Sequence, residues 1–409
     1  MFHYLKTFLL VFFALFITMI TFNLLVDPYG CWHGIKIYGF NSLKPCKDDN
    51  NRTSKMGGWS RRPTPNLIIG SSRANGIDPD HQGFTGNVYN LALTSLSLKE
   101  SQMLFTWLAG TKQVNQIIFG TDFFAANIYF NEVQIADGNF TYLGRMGSAT
   151  SLDTFLFSLK TVYSQYQQNN RNANWDSRDG SHRFYGGNFL GHNPLFLYRD
   201  NSFLANIFLP SPAYQFSFNA NGKSTEDYYR KIFALAHQKN IDLRVFISPT
   251  HARHMEVIYV LGLWPLQDEW LRIMVKVNEE EAARAGKAPF PLWDFSGFNS
   301  RTTEEVPALG DTETRMKWYW ESSHYKKELG DLVLDRVLDY SSPNRKVPAD
   351  FGVLLDSKML EAHLNQVRID RDAWRKSHPE DVKEIAEMAA KAETKRAFMK
   401  AKKKVPTAR

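Results

Sequence analysis

Two short segments of the 409-residue chain hold the residue types that acyl chemistry needs. Leu67–Gly76 reads LIIGSSRANG: an apolar run, a glycine, two serines and an arginine. Trp318–Tyr325 reads WYWESSHY, with Glu321 and His324 three apart. A serine hydroxyl is a weak nucleophile until a base takes its proton, and the base in turn needs an acceptor to orient it. In the first segment, a turn after a buried strand exposes a serine at the strand end, and the N–H groups of a following helix can stabilise an oxyanion. In the second, an acid at that spacing can accept from the imidazole Nδ1 while Nε2 faces a serine. Each segment also has a plain reading, GSS as a turn and E-x-x-H as a capping arrangement before the amphipathic KKELGDLVLDRVL. GSSR is not the G-x-S-x-G elbow of the α/β-hydrolases and has no P-loop lysine.

Such residues need a framework that fixes them. Short apolar runs at Asn66–Gly70, Val88–Leu93, Gln116–Gly120, Leu243–Ser248 and Pro291–Asp294 predict strands. Between them, Leu96–Ala109, Thr225–Gln238 and Asp268–Ala285 predict helices. The alternation indicates a parallel sheet covered on both faces. Ligands of such sheets bind beyond the carboxyl ends of the strands, where LIIG-SSR, IIFG-TDFF and FISP-THAR place polar residues. Phe140–Asn221 interrupts the alternation with NNRNANWDSRDGSHRFYGGN, readable as a glycan-facing lid or as a decorative insertion.

Thr7–Val26 is twenty residues without a charge, about 30 Å of helix and the thickness of a bilayer core. It predicts one membrane span with Lys6 on the cytoplasmic side and the rest of the chain outside. The alternative is a cleaved signal peptide, against which stand the length of the apolar run and the lack of a small-x-small site after it. The only cysteines, Cys31 and Cys46, lie just past the span and are a candidate disulfide in an oxidising compartment. Net charge is +7, but Pro343–Arg409 carries 16 basic and 10 acidic residues, leaving +1 for the remainder. A basic tail over a near-neutral body argues against nucleic acid as a partner. The expected organisation is an anchor over residues 1–27, an irregular linker over 28–62, an α/β domain over 63–342 and a basic helical tail over 343–409, whose charges from Asp381 on read as a solvated face or as a contact for anionic lipid or polymer. His251 and His254 in SPTHARH are too few for a metal site. His251 is read as a substrate contact, and neither metal nor cofactor is expected. Asp294 also ends a strand run, as a turn former or a reserve acid.

Taken together, the two segments resemble the SGNH/GDSL hydrolase superfamily, whose nucleophile sits in a G-D-S-like block and whose D-x-x-H precedes the last helix. The resemblance covers Pro63 to about Tyr340. It implies a flavodoxin-like three-layer α/β/α sandwich, Ser72 as nucleophile with Ser71 in the family's Asp position, His324 as base and Glu321 as its orienting acid. It implies an oxyanion site near Asn90–Ser95, where this chain has no glycine, and at Gly120-Thr-Asp122. An aspartate there would repel a developing negative charge unless protonated or turned away, and Arg73 could compensate. With the anchor, the chain looks most like the membrane-tethered branch that includes DltD-like and exopolysaccharide O-acetylation proteins. That likeness implies an acyltransferase or esterase on a cell-envelope polysaccharide, held by residues 7–26 in the bacterial inner membrane with its main domain periplasmic, and working beside a membrane-bound O-acyltransferase. The alternative is a non-catalytic partner that keeps the fold to bind a glycan or scaffold that acyltransferase.

Overall fold

The computed structural model describes residues 2–111, 113–130, 137–166 and 191–404. The chain divides into two compact units, residues 1–64 with 134–185 and residues 65–133 with 186–409.

In the first unit, helix α1 (Phe2–Val26) is long and apolar enough to cross a membrane. Its last turn is closed by side chains: Asn41 Nδ2 donates to the carbonyls of Leu25 and Val26, and Lys44 Nζ to those of Val26 and Asp27. The buried Asp27 carboxylate then accepts the N–H groups of Cys31, Trp32, His33 and Gly34. Residues 28–62 are therefore not an irregular linker. One carboxylate organises the turn, and α2 (Asn51–Arg61) buries Met56 and Trp59. The expected disulfide is absent. Cys31 and Cys46 are separate buried thiols, Cys31 packed against Gly57 and Cys46 Sγ 3.9 Å from the Phe157 carbonyl. Two helices from the expected insertion, α4 (Tyr142–Gly147) and α5 (Leu152–Ser164), belong to this unit. The Asn- and Gly-rich stretch after them lies outside the described residues.

The second unit is built on a six-stranded sheet. Its strands are β1 (Asn66–Ile69), β2 (Val88–Asn90), β3 (Gln116–Thr121), β6 (Asp242–Ile247), β7 (Leu292–Asp294) and β10 (Val353–Leu354). The order is β10-β7-β6-β3-β1-β2, and every pair is parallel except β10–β7. Two small hairpins, β4 (Asn219–Ala220) with β5 (Lys223–Ser224) and β8 (Tyr319–Glu321) with β9 (His324–Tyr325), lie outside it. The chain runs from β1 outward to β2, then returns past β1 to β3. The ends of β1 and β3 thus flank a reversal of direction.

Successive strand residues face opposite sides, and each side has its own helices. Ile68, Ile118 and Phe246 share a core with Leu329, Leu332 and Val333 of α10 (Lys327–Val337). On the other side, Phe119 meets Phe105 of α3 (Leu98–Gly110) edge-on at 5.2 Å. Beside them, Thr121 bonds Tyr229 of α7 (Thr225–Lys239), whose hydroxyl also accepts from Trp270 of α9 (Trp264–Ala285). The N-terminus of α3 is closed by a Ser97/Glu100 capping box. The remaining helices are α6 (His192–Ser202), α8 (Ala252–Val260), α11 (Leu360–Ser377) and α12 (Pro379–Lys404).

The expected solvated tail is instead integrated. β10 adds an antiparallel edge to the sheet, and Leu364, Trp374 and Ile385 are buried. Arg253 of α8 pairs with Asp381 and Glu384 of α12, His363 with Asp294, and Arg368 with Asp268. The charges that suggested a solvated face are partly engaged in holding the tail down.

Candidate functional site

The GSS block leaves β1 through a tight turn. A Cβ on Gly70 would lie 2.7 Å from the Ala74 Cβ and 2.8 Å from the Gly120 carbonyl oxygen, so the close approach of the β1 and β3 ends requires glycine there. Where a helix is expected, the chain makes a single 3₁₀ turn, Ser72–Gly76. Ser71 is its N-cap, the hydroxyl accepting from Arg73 N–H. Asn90 pins the turn by donating to the carbonyls of Ala74 and Ile77. From the opposite side α10 packs so closely that a Cβ on Gly330 would sit 2.1 Å from the Gly76 oxygen.

The ESSH block is a hairpin, not a loop before a helix. β8 and β9 place Glu321 directly opposite His324 across the Ser322–Ser323 turn. The helix cap is Lys326, without a side-chain capping bond, so the capping reading of Glu321 fails. Glu321 accepts from His324 Nδ1 through Oε1 and from Ser323 N–H through Oε2. His324 Nε2 then stands 2.7 Å from Ser72 Oγ, across 252 residues of sequence. Glu321 is buried, while Ser72 and His324 are only half-buried. Burial alone would raise the Glu321 carboxyl, but His324, Arg199 and the Ser323 N–H together hold it below the usual range. A buried ionised acid, an oriented imidazole and an accessible hydroxyl are thus in line, the arrangement that activates a serine.

Arg199, on α6, ion-pairs with Glu321 Oε1 at 3.1 Å. Nothing in its sequence surroundings marks it, because α6 falls within the stretch read as an insertion and its contact is made only in three dimensions.

Arg73 and Asp122 differ from expectation. Asp122 Oδ2 accepts from Ser71 Oγ and Oδ1 from Arg73 Nη1, so the carboxylate is turned onto a cation and a hydroxyl. Arg73 Nε donates to Ser323 Oγ at 3.0 Å and Nη2 to His254 Nε2 at 2.8 Å, beneath the rings of Phe124 and Phe203. Arg73 is therefore a buried clamp joining the turn after β1, the end of β3, the β8–β9 turn and α8. It is not a free cation facing an oxyanion. Burial and then Arg73 push His254 well below its ordinary value, which keeps it a neutral acceptor.

The other expected contacts are structural. Asn90 is fully engaged by the 3₁₀ turn and by Ala92 N–H. Gly120 pairs with Phe246 in the ladder and would strike its ring if it carried a Cβ. His251 is the N-cap of α8, with Nε2 on the Glu304 carbonyl and its ring edge-on to Phe196 and Tyr319. Buried and bonded at both nitrogens, it has no atom left for a substrate. Asp294 is occupied by His363 and by Ser296 N–H. No cluster of three or more metal-ligating side chains occurs among the described residues.

Behind Arg73 and Asp122 lies a cavity of about 20 Å³ lined also by Ser248, His254 and Gln267, room for about one water and not for an acyl chain. A larger groove of about 740 Å³ between Trp293, Tyr340 and Arg345 includes no triad residue. Compared with known proteins, the chain matches no family model, and neither a curated protein nor a solved structure is significantly similar to it, so the functional reading rests on the geometry of Ser72, His324 and Glu321.

Proposed function

We propose that this chain is a membrane-anchored, serine-dependent acyltransferase or esterase acting on a cell-envelope polysaccharide outside the cytoplasm. The observation that carries it is the Ser72–His324–Glu321 line, with 2.7 Å between Ser72 Oγ and His324 Nε2. In this reading Ser72 Oγ attacks the acyl carbonyl as its proton passes to His324 Nε2. Glu321 holds Nδ1–H and the positive ring. The leaving alkoxide takes the proton from His324, and acyl-Ser72 remains. A sugar hydroxyl or water then attacks that ester as His324 Nε2 accepts its proton; the acyl–Oγ bond breaks, and His324 returns the proton to Ser72 Oγ. The Ser72 backbone N–H is the candidate donor to the oxyanion.

The fold supports the same reading. Counted along the five parallel strands alone, the sheet order is 2-1-3-4-5, the flavodoxin-like order, which places a ligand crevice where the order reverses. Ser72 follows one strand at that point and Asp122 the other. With helices on both faces, the arrangement fits the α/β/α sandwich of SGNH-type hydrolases. Retention of α1 as an anchor is supported by Asn23 and Val26, which are buried in the folded unit.

A second reading has its own observation. Asn90 is fully bonded and each Arg73 nitrogen already has a buried partner, so the oxyanion would rely mainly on backbone N–H groups, which suits a non-catalytic scaffold or glycan-binding partner of a membrane acyltransferase. The test is a serine-reactive phosphonate applied to the detergent-solubilised chain. An adduct mapped to Ser72, lost in Ser72→Ala and kept in Ser71→Ala, is expected. A folded chain with no adduct at Ser72 selects the scaffold.

A further inference from the structure

Helix α5 is built inside out. Its buried side chains are Thr154, Ser158, Thr161 and Ser164, all small and polar. Its outward face carries Leu152, Leu156, Leu159 and Tyr163, which are 64%, 55%, 45% and 65% exposed. These four recur at i, i+4, i+7 and i+11, one narrow stripe on a helix. Asp153 and Lys160, both exposed, border the stripe on one side. A helix facing water puts its apolar stripe inward, so here the polar pattern is reversed relative to a water-soluble unit.

The helix that packs on the polar face of α5 belongs to the same unit. Asn23 of α1 donates to the Ala149 carbonyl at 2.7 Å and accepts from Ser158 Oγ at 2.9 Å. Phe22 meets Phe155 at 5.7 Å. The polar face of α5 is thus the seat for the last turns of α1, the point where a spanning helix leaves the hydrocarbon. At 13 residues α5 is about 20 Å long, too short to cross a bilayer. Leu143 and Tyr38 of the same unit are also exposed.

We propose that α5 is an interfacial membrane helix, lying against the lipid at the C-terminal end of α1 with Leu152, Leu156, Leu159 and Tyr163 among the acyl chains. Lipid is the occupant because α5 packs on the last turns of α1, where the spanning helix leaves the hydrocarbon, and so holds its exposed apolar stripe at that level. The charged border at Asp153 and Lys160 matches a helix lying at the headgroup level. Such a foot fixes the tilt and height of the first unit on the membrane, which a single helix does not. The proposal rests on reading α1 as a retained membrane helix.

The test uses the full chain reconstituted in phosphatidylcholine/phosphatidylglycerol vesicles. An environment-sensitive fluorophore is attached to Leu156→Cys, Leu159→Cys, Lys160→Cys or Phe12→Cys, the unmodified chain with its buried Cys31 and Cys46 serving as the labelling blank. Blue-shifted emission at 156 and 159, quenched by acyl-chain nitroxide lipids, with weaker quenching at 160, is the expected result. Water-like emission at 156 and 159 while the Phe12→Cys label is quenched overturns the proposal and leaves the anchor standing. Blue-shifted emission at 156 and 159 without lipid quenching means that protein covers the stripe, and also overturns it. Absence of quenching at Phe12→Cys overturns the anchor and the interfacial helix together.

Discussion

Arg73 Nη1 donates to Asp122 Oδ1 at 3.0 Å, and both side chains are buried. The pair links the turn after β1 to the end of β3, so it sets the separation of the strand ends that present Ser72. Removing one member leaves the other as an uncompensated buried charge, which costs about 3–5 kcal/mol, whereas removing both charges together costs much less. Arg73→Gln should therefore lose about that much stability, and Arg73→Gln/Asp122→Asn should recover most of it, read from urea unfolding of the detergent-solubilised chain. Additive losses would mean that the two groups are not coupled.

Arg199 and Glu321 give a pH signature. The proposed role needs Glu321 ionised, and Arg199 is one of the groups that keep its carboxyl below the ordinary range. A depressed acid keeps its charge above its folded value and loses it as pH falls through that value. Removing the cation in Arg199→Ala favours protonation of the Glu321–His324 pair, so the acid limb of Ser72 phosphonylation should move to higher pH with the neutral-pH plateau little changed. Glu321→Gln should instead lower the rate at every pH, by up to about 10⁴-fold, because the imidazole is held in the wrong tautomer. An unmoved acid limb in Arg199→Ala would remove Arg199 from the site.

The proximity of Ser72, His324 and Glu321 was legible only from the two segments taken together, since GSS alone reads as a turn and E-x-x-H alone as a cap. The parallel sheet was legible because strands buried on both faces read as continuous apolar runs. What pattern reading missed depends on long-range charge. Arg73 next to a serine looks like an open cation until Asp122, Ser323 and His254 close around it. Residues 343–409 read as a solvated tail because a helix held by ion pairs and a helix in water have the same charge pattern. The linker reading failed because Asp27 organises four backbone N–H groups, a contact without periodicity.

Arg253 tests the integration of the tail. It is buried against Asp200 and also reaches Asp381 and Glu384, which are part-exposed. Burial pushes the Asp200 carboxyl up to about 6 even with Arg253 beside it. Arg253→Met should cost about 3–5 kcal/mol at pH 8, because it leaves a buried carboxylate without its cation. The cost should shrink by pH 5, where Asp200 can take a proton. Asp381→Asn and Glu384→Gln should each cost under about 1 kcal/mol, as exposed pairs do. Chemical denaturation at the two pH values separates these, and a tail-side substitution as costly as Arg253→Met would contradict the assignment.

His251 predicts how the fold responds to acid. Burial, opposed by the Glu304 carbonyl and assisted by Arg253, lowers its value to about 3. Above pH 6.5 the imidazole is neutral in both folded and unfolded chains, so its contribution to stability is fully present. As pH falls below 6.5 the unfolded chain takes a proton that the folded one refuses, and stability drops by about 1.4 kcal/mol per pH unit until the folded value is reached. His254, also depressed, adds a loss of the same sign. Asp200 at about 6 and Glu256 at about 7 act oppositely, since the folded chain holds their protons more tightly. The net slope of the native chain mixes these, and His251→Asn isolates one of them. Asparagine keeps an N-cap acceptor for α8 while removing the titration. The variant should be less stable at pH 7 through loss of the Glu304 bond, yet its stability should fall less steeply between pH 6 and 4, by about one proton's slope. Urea midpoints measured across that range decide it, and parallel slopes for the two chains would show that His251 titrates in the fold as it does in water.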